Sequence, residues 1–243
     1  PCTCPDGEGG NHGCTYTQGG YHICASNDNP PQCALFDTTS LALPLYLGTQ
    51  PVDALGCSMY RFNTWLQVQG VLPGTGSAAA IPNAANGAGI YAPPSTLNVL
   101  GGQLLTATLN VGLNSSNPTL YFDNSTCVLH GVATSGGLYA FFHGMTAAQF
   151  VFFANYMAVD HGTCLTTCAN IAAPPPGNGG DPLTATPLTL DTGRVVTTAE
   201  CTAQLSPNLL GLTSFLDAYN NAYDNCQQTT TSLHCFTLAV PAA

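Results

Sequence analysis

Apolar residues recur with a helical period in three stretches of this chain. From Ser95, "STLNVLGGQLLTATLN" sets Leu97, Leu100, Leu104 and Leu105 on one face, and Gly101 with Gly102 predicts that another element approaches that helix closely. "TAAQFVFFANYMAV" repeats the pattern with Phe150, Phe153, Ala154 and Met157, and Thr146 followed by Gln149 has the spacing of a capping box. The third helix is expected from Ser206 through "PNLLGLTSFLDAYNNAYDN", with Pro207 in the first turn and Leu209, Leu212, Leu216, Tyr219 and Tyr223 inward. Period-two patterns predict strands elsewhere. They fall at "CTYT" and "YHICA" near the front and at "YRFNTWLQVQG", where Phe62, Trp65 or Leu66 and Val68 form a core strand. Two more lie in "LTLDTGRVV" and in "CFTLAVP", where Phe236, Leu238 and Val240 alternate. "LPGTGSAAAIPNAANGAGIYAPP" and "ANIAAPPPGNGGDP" are rich in Pro and Gly and are expected to be loops. No internal repeat is present.

The stretch "GGLYAFFHGMTAAQFVFFANYMAV", residues 136–159, is uncharged and long enough to cross a bilayer. Gly144 and the capping box divide it, so an extended segment is expected to meet a short amphipathic helix, without membrane insertion. The pattern as a whole predicts an α+β fold, a disulfide-rich β-sandwich or barrel with about three packed core helices. Residues 1–57 form a cysteine-rich N-terminal arm and 58–243 an α+β core domain.

Composition narrows the function. Of 243 residues only 6% are charged, against roughly 25% in ordinary soluble domains. Arg61 and Arg194 are the only permanent cations beside 12 Asp and Glu, giving a net charge of −10. Nothing here neutralises a run of phosphates or an anionic membrane, so nucleic acid is excluded as a partner. Without lysine there is no Schiff base and no Walker-type phosphate grip. The surface must be covered by neutral polar residues.

Twelve cysteines run through the whole chain: Cys2, Cys4, Cys14, Cys24, Cys33, Cys57, Cys127, Cys164, Cys168, Cys201, Cys226 and Cys235. The even number predicts up to six disulfides and an extracellular setting, with the pairing open. Each would add about 3 kcal/mol by restricting the unfolded chain. The opening "PCTCPDGEGG" has neither Met nor an apolar leader and is expected to be the start of a mature exported form.

Several motifs carry candidate chemistry. Asp191-Thr192-Gly193 matches the triplet of an aspartic protease, yet that chemistry needs two carboxylates sharing one proton, and the nearest counterpart, "FDTTS" at Asp37, lacks the glycine. A strand ending in an Asp-Gly turn is the expected reading. His161, Cys164 and Cys168 have zinc-like spacing, but thiols among so many cysteines outside a cell are expected in disulfides. Asp6 and Glu8 on a turn are too few oxygen ligands for Ca²⁺. His12, His22, His130, His143 and His234 accompany no nucleophile motif. No catalytic, cofactor-binding or metal site is therefore expected. Asn114 in "NSS" and Asn124 in "NST" are candidate N-glycosylation acceptors.

From "FNTWLQVQG" to residue 226, the motifs "NVLGGQLLTATLNVGLN", "GMTAAQFVFFANYM" and "LSPNLLGLTSFLDAYNNAYDNC" follow one another in an order that resembles an uncharacterised extracellular domain recurring in large secreted bacterial surface proteins. The resemblance implies a secreted structural setting and fibre-forming, pilus-like relatives. It implies no catalytic residues.

The expected function is a structural subunit of an extracellular helical fibre or pilus-like filament whose partners are copies of itself. A head-to-tail contact that does not close on itself generates a filament. A terminal β-strand donated to a neighbour's sheet, as in donor-strand complementation, would lock it, with the N-terminal arm as the favoured donor. The alternative is a carbohydrate-binding or adhesive module whose glycans stack on Tyr16, Tyr21, Tyr46, Tyr91 or Trp65. A secreted hydrolase using a carboxylate pair is the third reading.

Overall fold

The structure, a computed structural model, describes residues 15–24, 43–48, 58–81, 89–113, 119–125, 127–129, 132–133, 137–158, 188–205, 208–223, 235–238 and 240–241. Seven helices and nine short strands occupy them: α1 (Gln18–Cys24), β1 (Leu45–Gly48), β2 (Ser58–Phe62), α2 (Trp65–Val71), β3 (Gly89–Tyr91), α3 (Val99–Leu113), β4 (Tyr121–Phe122), β5 (Val128–Leu129), β6 (Val132–Ala133), α4 (Gly137–Phe142), α5 (Ala147–Met157), β7 (Leu188–Thr189), β8 (Val195–Val196), α6 (Thr198–Ala203), α7 (Leu209–Asn221) and β9 (Phe236–Thr237).

This overturns the expected sandwich or barrel. Among the described residues helix predominates. The sheets are a three-stranded β1-β2-β3 and the two-stranded pairs β4-β9, β5-β6 and β7-β8. Even the largest sheet is mixed: β1 lies antiparallel to β2, and β2 parallel to β3, a pairing that needs a crossover, and the chain between them carries α2.

Strands form as expected in "LTLDTGRVV" and "CFTLAVP", as β7, β8 and β9, while two others fail for local reasons. In "YRFNTWLQVQG" the strand stops at Phe62, because Thr64 Oγ1 accepts the Gln67 N–H at 3.3 Å and Gln67 Oε1 accepts the Thr64 N–H at 3.2 Å. That reciprocal pair starts α2. "YHIC" falls inside α1, where Thr17 Oγ1 accepts the Gly20 N–H at 3.2 Å. The segment expected to be extended before Gly144 is helix α4, and "GIY" inside the expected loop is β3.

Helices α3, α5 and α7 lie where the periodicity puts them, α5 with its expected cap and α3 and α7 with later starts. Asn98 Oδ1 takes the Gly101 N–H at 2.9 Å ahead of α3, Asn208 Oδ1 takes the Leu210 and Gly211 N–H groups ahead of α7, and Thr146 with Gln149 forms the box of α5. The close approach expected at the glycine pair is made by the loop after α2. A Cβ on Gly102 would sit 2.8 Å from the Gly74 nitrogen and overlap Gln18 Oε1, which accepts the Gly74 N–H at 2.7 Å.

Helix α3 is the axis of the core. From Leu100 to Val111 every residue except the half-buried Gln103 is buried, so the helix is core on nearly every side. Beside it Phe215 of α7 gathers an aromatic cluster with Phe122, Phe142, Phe150 and Phe236, at centroid distances of 4.8, 4.7, 5.0 and 5.8 Å. Phe236 arrives on β9, paired with Phe122 of β4, and the Cys127–Cys235 disulfide ties that strand down across 108 residues. In the chain-entropy account such a crosslink contributes about 4.7 kcal/mol.

A helix buried this deeply must satisfy its polar side chains internally, and Asn110 does so. Its Oδ1 accepts the Tyr16 N–H at 2.8 Å and the Tyr21 hydroxyl at 2.9 Å, while Nδ2 donates to the Tyr16 carbonyl and to Asn220 Oδ1, both at 2.9 Å. Asn220 in turn donates to the Gln103 carbonyl and to Gln103 Oε1. Thr15 and Tyr223 exchange a second pair of bonds, from the Thr15 N–H to the Tyr223 carbonyl and from the Tyr223 N–H to Thr15 Oγ1. Tyr16, Tyr21, Leu45 and Leu47, all from the first 57 residues, thus share one core with α3, α5 and α7.

Two buried side chains make opposite demands. Replacing Asn110 by Ala strands the Tyr16 N–H and carbonyl and should cost about 3 kcal/mol. The Tyr219 hydroxyl is buried without a hydrogen-bond partner among the described residues, so Tyr219→Phe should cost nothing or stabilise slightly. Urea unfolding of both variants checks this, and a Tyr219→Phe loss as large as that of Asn110→Ala would refute it.

Candidate functional site

The Asp191-Thr192-Gly193 triplet is built as a hairpin turn. Strands β7 and β8 pair Leu188 with Val196 and Thr189 with Val195, and Leu190 N–H closes the turn onto the Arg194 carbonyl at 2.8 Å. Gly193 holds φ at 82°, the left-handed region that glycine favours. Asp191 Oδ2 accepts a short hydrogen bond from the Tyr121 hydroxyl, so its partner is a phenol and not a second carboxylate. Asp37, the counterpart weighed in the sequence, lies outside the described residues.

Arg194 gives the turn a structural task. Its Nη1 donates to the carbonyls of Ala140, Phe141 and His143 at 3.2, 2.9 and 3.2 Å, satisfying groups that the end of α4 leaves open. The chain leaves α4 through Gly144 at φ 76°, where a Cβ would approach Thr192 Cγ2 to 2.9 Å. Nη2 pairs with Glu200 Oε1 at 3.4 Å, and Glu200 Oε2 accepts the Thr197 N–H at 2.8 Å to start α6. These bonds, chiefly those from the Thr197 backbone and hydroxyl and then from Arg194, hold the Glu200 carboxyl below its usual range.

A Ser-Asp-His grouping occurs at Ser125, Asp123 and His143, but it is wired against catalysis. The Ser125 hydroxyl donates to Asp123 Oδ1 at 2.6 Å, and His143 Nδ1 accepts the Asn124 N–H at 3.2 Å. A nucleophilic serine must face the imidazole, with the carboxylate behind it.

Asp217 is also tied inside the chain, accepting from Gln103 Nε2 at 2.6 Å and Asn221 Nδ2 at 3.2 Å. All four carboxylates among the described residues, Asp123, Asp191, Glu200 and Asp217, therefore have intramolecular partners. Arg61 is different. It stands opposite Tyr46 across β1 and β2, its guanidinium 6.0 Å from the Tyr46 ring centroid, and Nε is buried with no hydrogen-bond partner among the described residues.

The remaining candidates divide as follows. Cys127 and Cys235 are joined to each other. Cys201, buried in α6, is in a disulfide whose partner is not among the described side chains. Cys24 ends α1, and Cys2, Cys4, Cys14, Cys33, Cys57, Cys164, Cys168 and Cys226 lie outside the described residues, as do His161, Asp6, Glu8 and Asn114. Asn124 is half-buried beside His143. Of the aromatic residues offered for sugar stacking, Tyr16 and Tyr21 are core at 2% and 0% exposure, and Tyr46 and Trp65 are half-buried. The Tyr91 side chain is not described. Among the described residues no group of three or more His, Cys, Asp or Glu could hold a metal, and no helix is long and apolar enough to cross a membrane.

Sequence reasoning missed Tyr121, Asn110 and the two arginines as organising residues. For the arginines a signal existed, since a chain with two cations can use each only once.

No family model, curated protein or solved structure matches this chain.

The tyrosines give the fold an alkaline limit. Tyr121 is pushed up to about 12 by its hydrogen bond to Asp191, then by burial and by the charge of Asp191. Burial raises Tyr60, Tyr139, Tyr156, Tyr219 and Tyr223 as well. Unfolded tyrosine ionises near pH 10, so the unfolded chain releases protons that the native state still holds. Stability from these groups is complete below about pH 10 and is lost as pH rises through their folded values, near 12 for Tyr121. The urea midpoint should be level from about pH 7 to 9 and fall steeply above about pH 10, less steeply in Tyr121→Phe. A midpoint that stays level through the ionisation of unfolded tyrosine would sink this account.

Proposed function

We propose that the chain is a structural subunit of an extracellular helical fibre, its copies meeting head to tail. The observation that carries this reading is the internal use of charge: the four described carboxylates and Arg194 are all engaged within the chain. Among the described residues the surface that remains is largely neutral. Covering such a surface with a second copy avoids the desolvation of ions that ordinary charged surfaces impose on close contact. Leu66 on α2 and Leu210 on α7, 74% and 67% exposed, add apolar area to it. The cysteine content and the Cys127–Cys235 crosslink support an oxidising, extracellular location.

The contacts of residues 15–24 change how copies would lock. Tyr16 and Tyr21 are held by Asn110, so this stretch serves its own core, and any strand donated from the N-terminal side must come from ahead of Thr15. The glycan-binding alternative loses the same two tyrosines and retains Tyr46, Tyr91 and Trp65.

Oxidised material should show concentration-dependent growth in sedimentation velocity and long uniform fibres in negatively stained micrographs. A preparation that remains monomeric at millimolar concentration overturns the reading.

A further inference from the structure

We propose that the outer face of the β1-β2-β3 sheet, centred on Arg61, is the subunit contact, and that it receives a carboxylate from a second copy of the chain. The inference rests on the fibre-subunit reading and adds where the copies meet.

Alternation along the strands puts Leu45, Leu47 and Phe62 into the core and Tyr46 and Arg61 on the opposite face. The two stand directly opposite each other across the antiparallel pair, and Arg61 belongs to β2, the central strand, which is held on both sides. The Tyr46 ring lies within cation–π reach of the guanidinium, at 6.0 Å. No hydrogen bond or ion pair to a described residue engages it, and its Nε is already removed from water without a partner. Every other charged side chain among the described residues has a polar partner within the chain. A planar guanidinium presented this way is matched by the two oxygens of a carboxylate. With 12 Asp and Glu against two Arg, each neighbouring copy carries carboxylates in excess, and the net charge of −10 makes a lone cation the natural point of attraction between copies.

The test compares the full oxidised chain with Arg61→Met, Arg61→Lys and Arg61→Glu by sedimentation velocity and electron microscopy. Melting temperature and circular dichroism serve as the folding control. Arg61→Met leaves no buried group stranded, because Nε has no partner to lose, so it provides a folded variant even if Arg61→Glu does not fold. Assembly of the Met and Glu variants should require at least ~10-fold higher concentration than wild type, with the Lys variant between. If folded Arg61→Met and Arg61→Glu assemble as readily as wild type, the contact lies elsewhere and the subunit reading stands. If wild type never assembles, the subunit reading fails and takes this contact with it. A third arm adds polygalacturonate. Binding by monomeric wild type that is absent in Arg61→Met would assign the face to an acidic glycan and overturn the second copy as its occupant.

Discussion

The structure depends on one constraint: α3 is buried along most of its length, so its polar groups must find partners in the protein rather than in water, and the Thr106 hydroxyl finds none among the described residues. Asn110 meets it by acting as a piece of backbone. Its amide pairs with the Tyr16 N–H and carbonyl as a neighbouring strand would, and also holds Tyr21 and Asn220. One side chain thereby fixes the chain entry, helix α1 and the crossing of α3 with α7. A leucine of similar size would fill the space but leave those groups bare, and bare buried groups are what a core tolerates least. The aromatic cluster around Phe215 supplies apolar contact, whereas the Asn110 network decides which segments may occupy it.

Scarcity of charge explains much of the remaining architecture. Helix ends need partners for open N–H and carbonyl groups, and this chain closes them with Thr64, Thr146, Thr197 and Asn208 at N-termini. The caps of α2, α5 and α7 are neutral and work at any pH, and only α6 adds a carboxylate, that of Glu200. The two-stranded hairpin β7-β8 carries no large apolar face of its own, and its value lies in delivering Arg194 to the end of α4 and Asp191 to Tyr121.

How much of this could be seen in the sequence follows from the range of each interaction. The long helices were legible because four or five apolar residues at helical spacing outweigh any local signal, and Thr146 with Gln149 marked the start of α5 three residues apart. The same T-x-x-Q spacing at Thr64 and Gln67 lay inside a stretch whose alternation pointed to a strand, and the cap decided the outcome. The sandwich was expected from many short alternating segments. In the structure these segments are two to five residues long and are parted by helices, too short to close two facing sheets. Asn110 was out of reach for another reason: its partners are 94 and 110 residues away, and an asparagine in a helical pattern gives no hint of whom it will meet. The aspartate triplet was legible as a turn, because an aspartic protease has to supply a second carboxylate.

The two arginines show how the same group serves two ends. A guanidinium is a planar fork of donors that keeps its charge in any accessible pH, and both sites use the plane. At Arg194 the fork is filled: one nitrogen spans three carbonyls at the end of a short helix and the other meets Glu200, so its charge is spent within the fold. Lysine would supply the charge but could not reach three carbonyls and a carboxylate in one plane. At Arg61 the fork rests on Tyr46 with nothing in front of it among the described residues. A chain that avoids charge so thoroughly gains no stability from a half-buried cation with no acid beside it among the described residues, since desolvating Nε without a partner is a cost to the isolated fold. An anionic partner would recover that cost, and the proposed subunit contact would supply one.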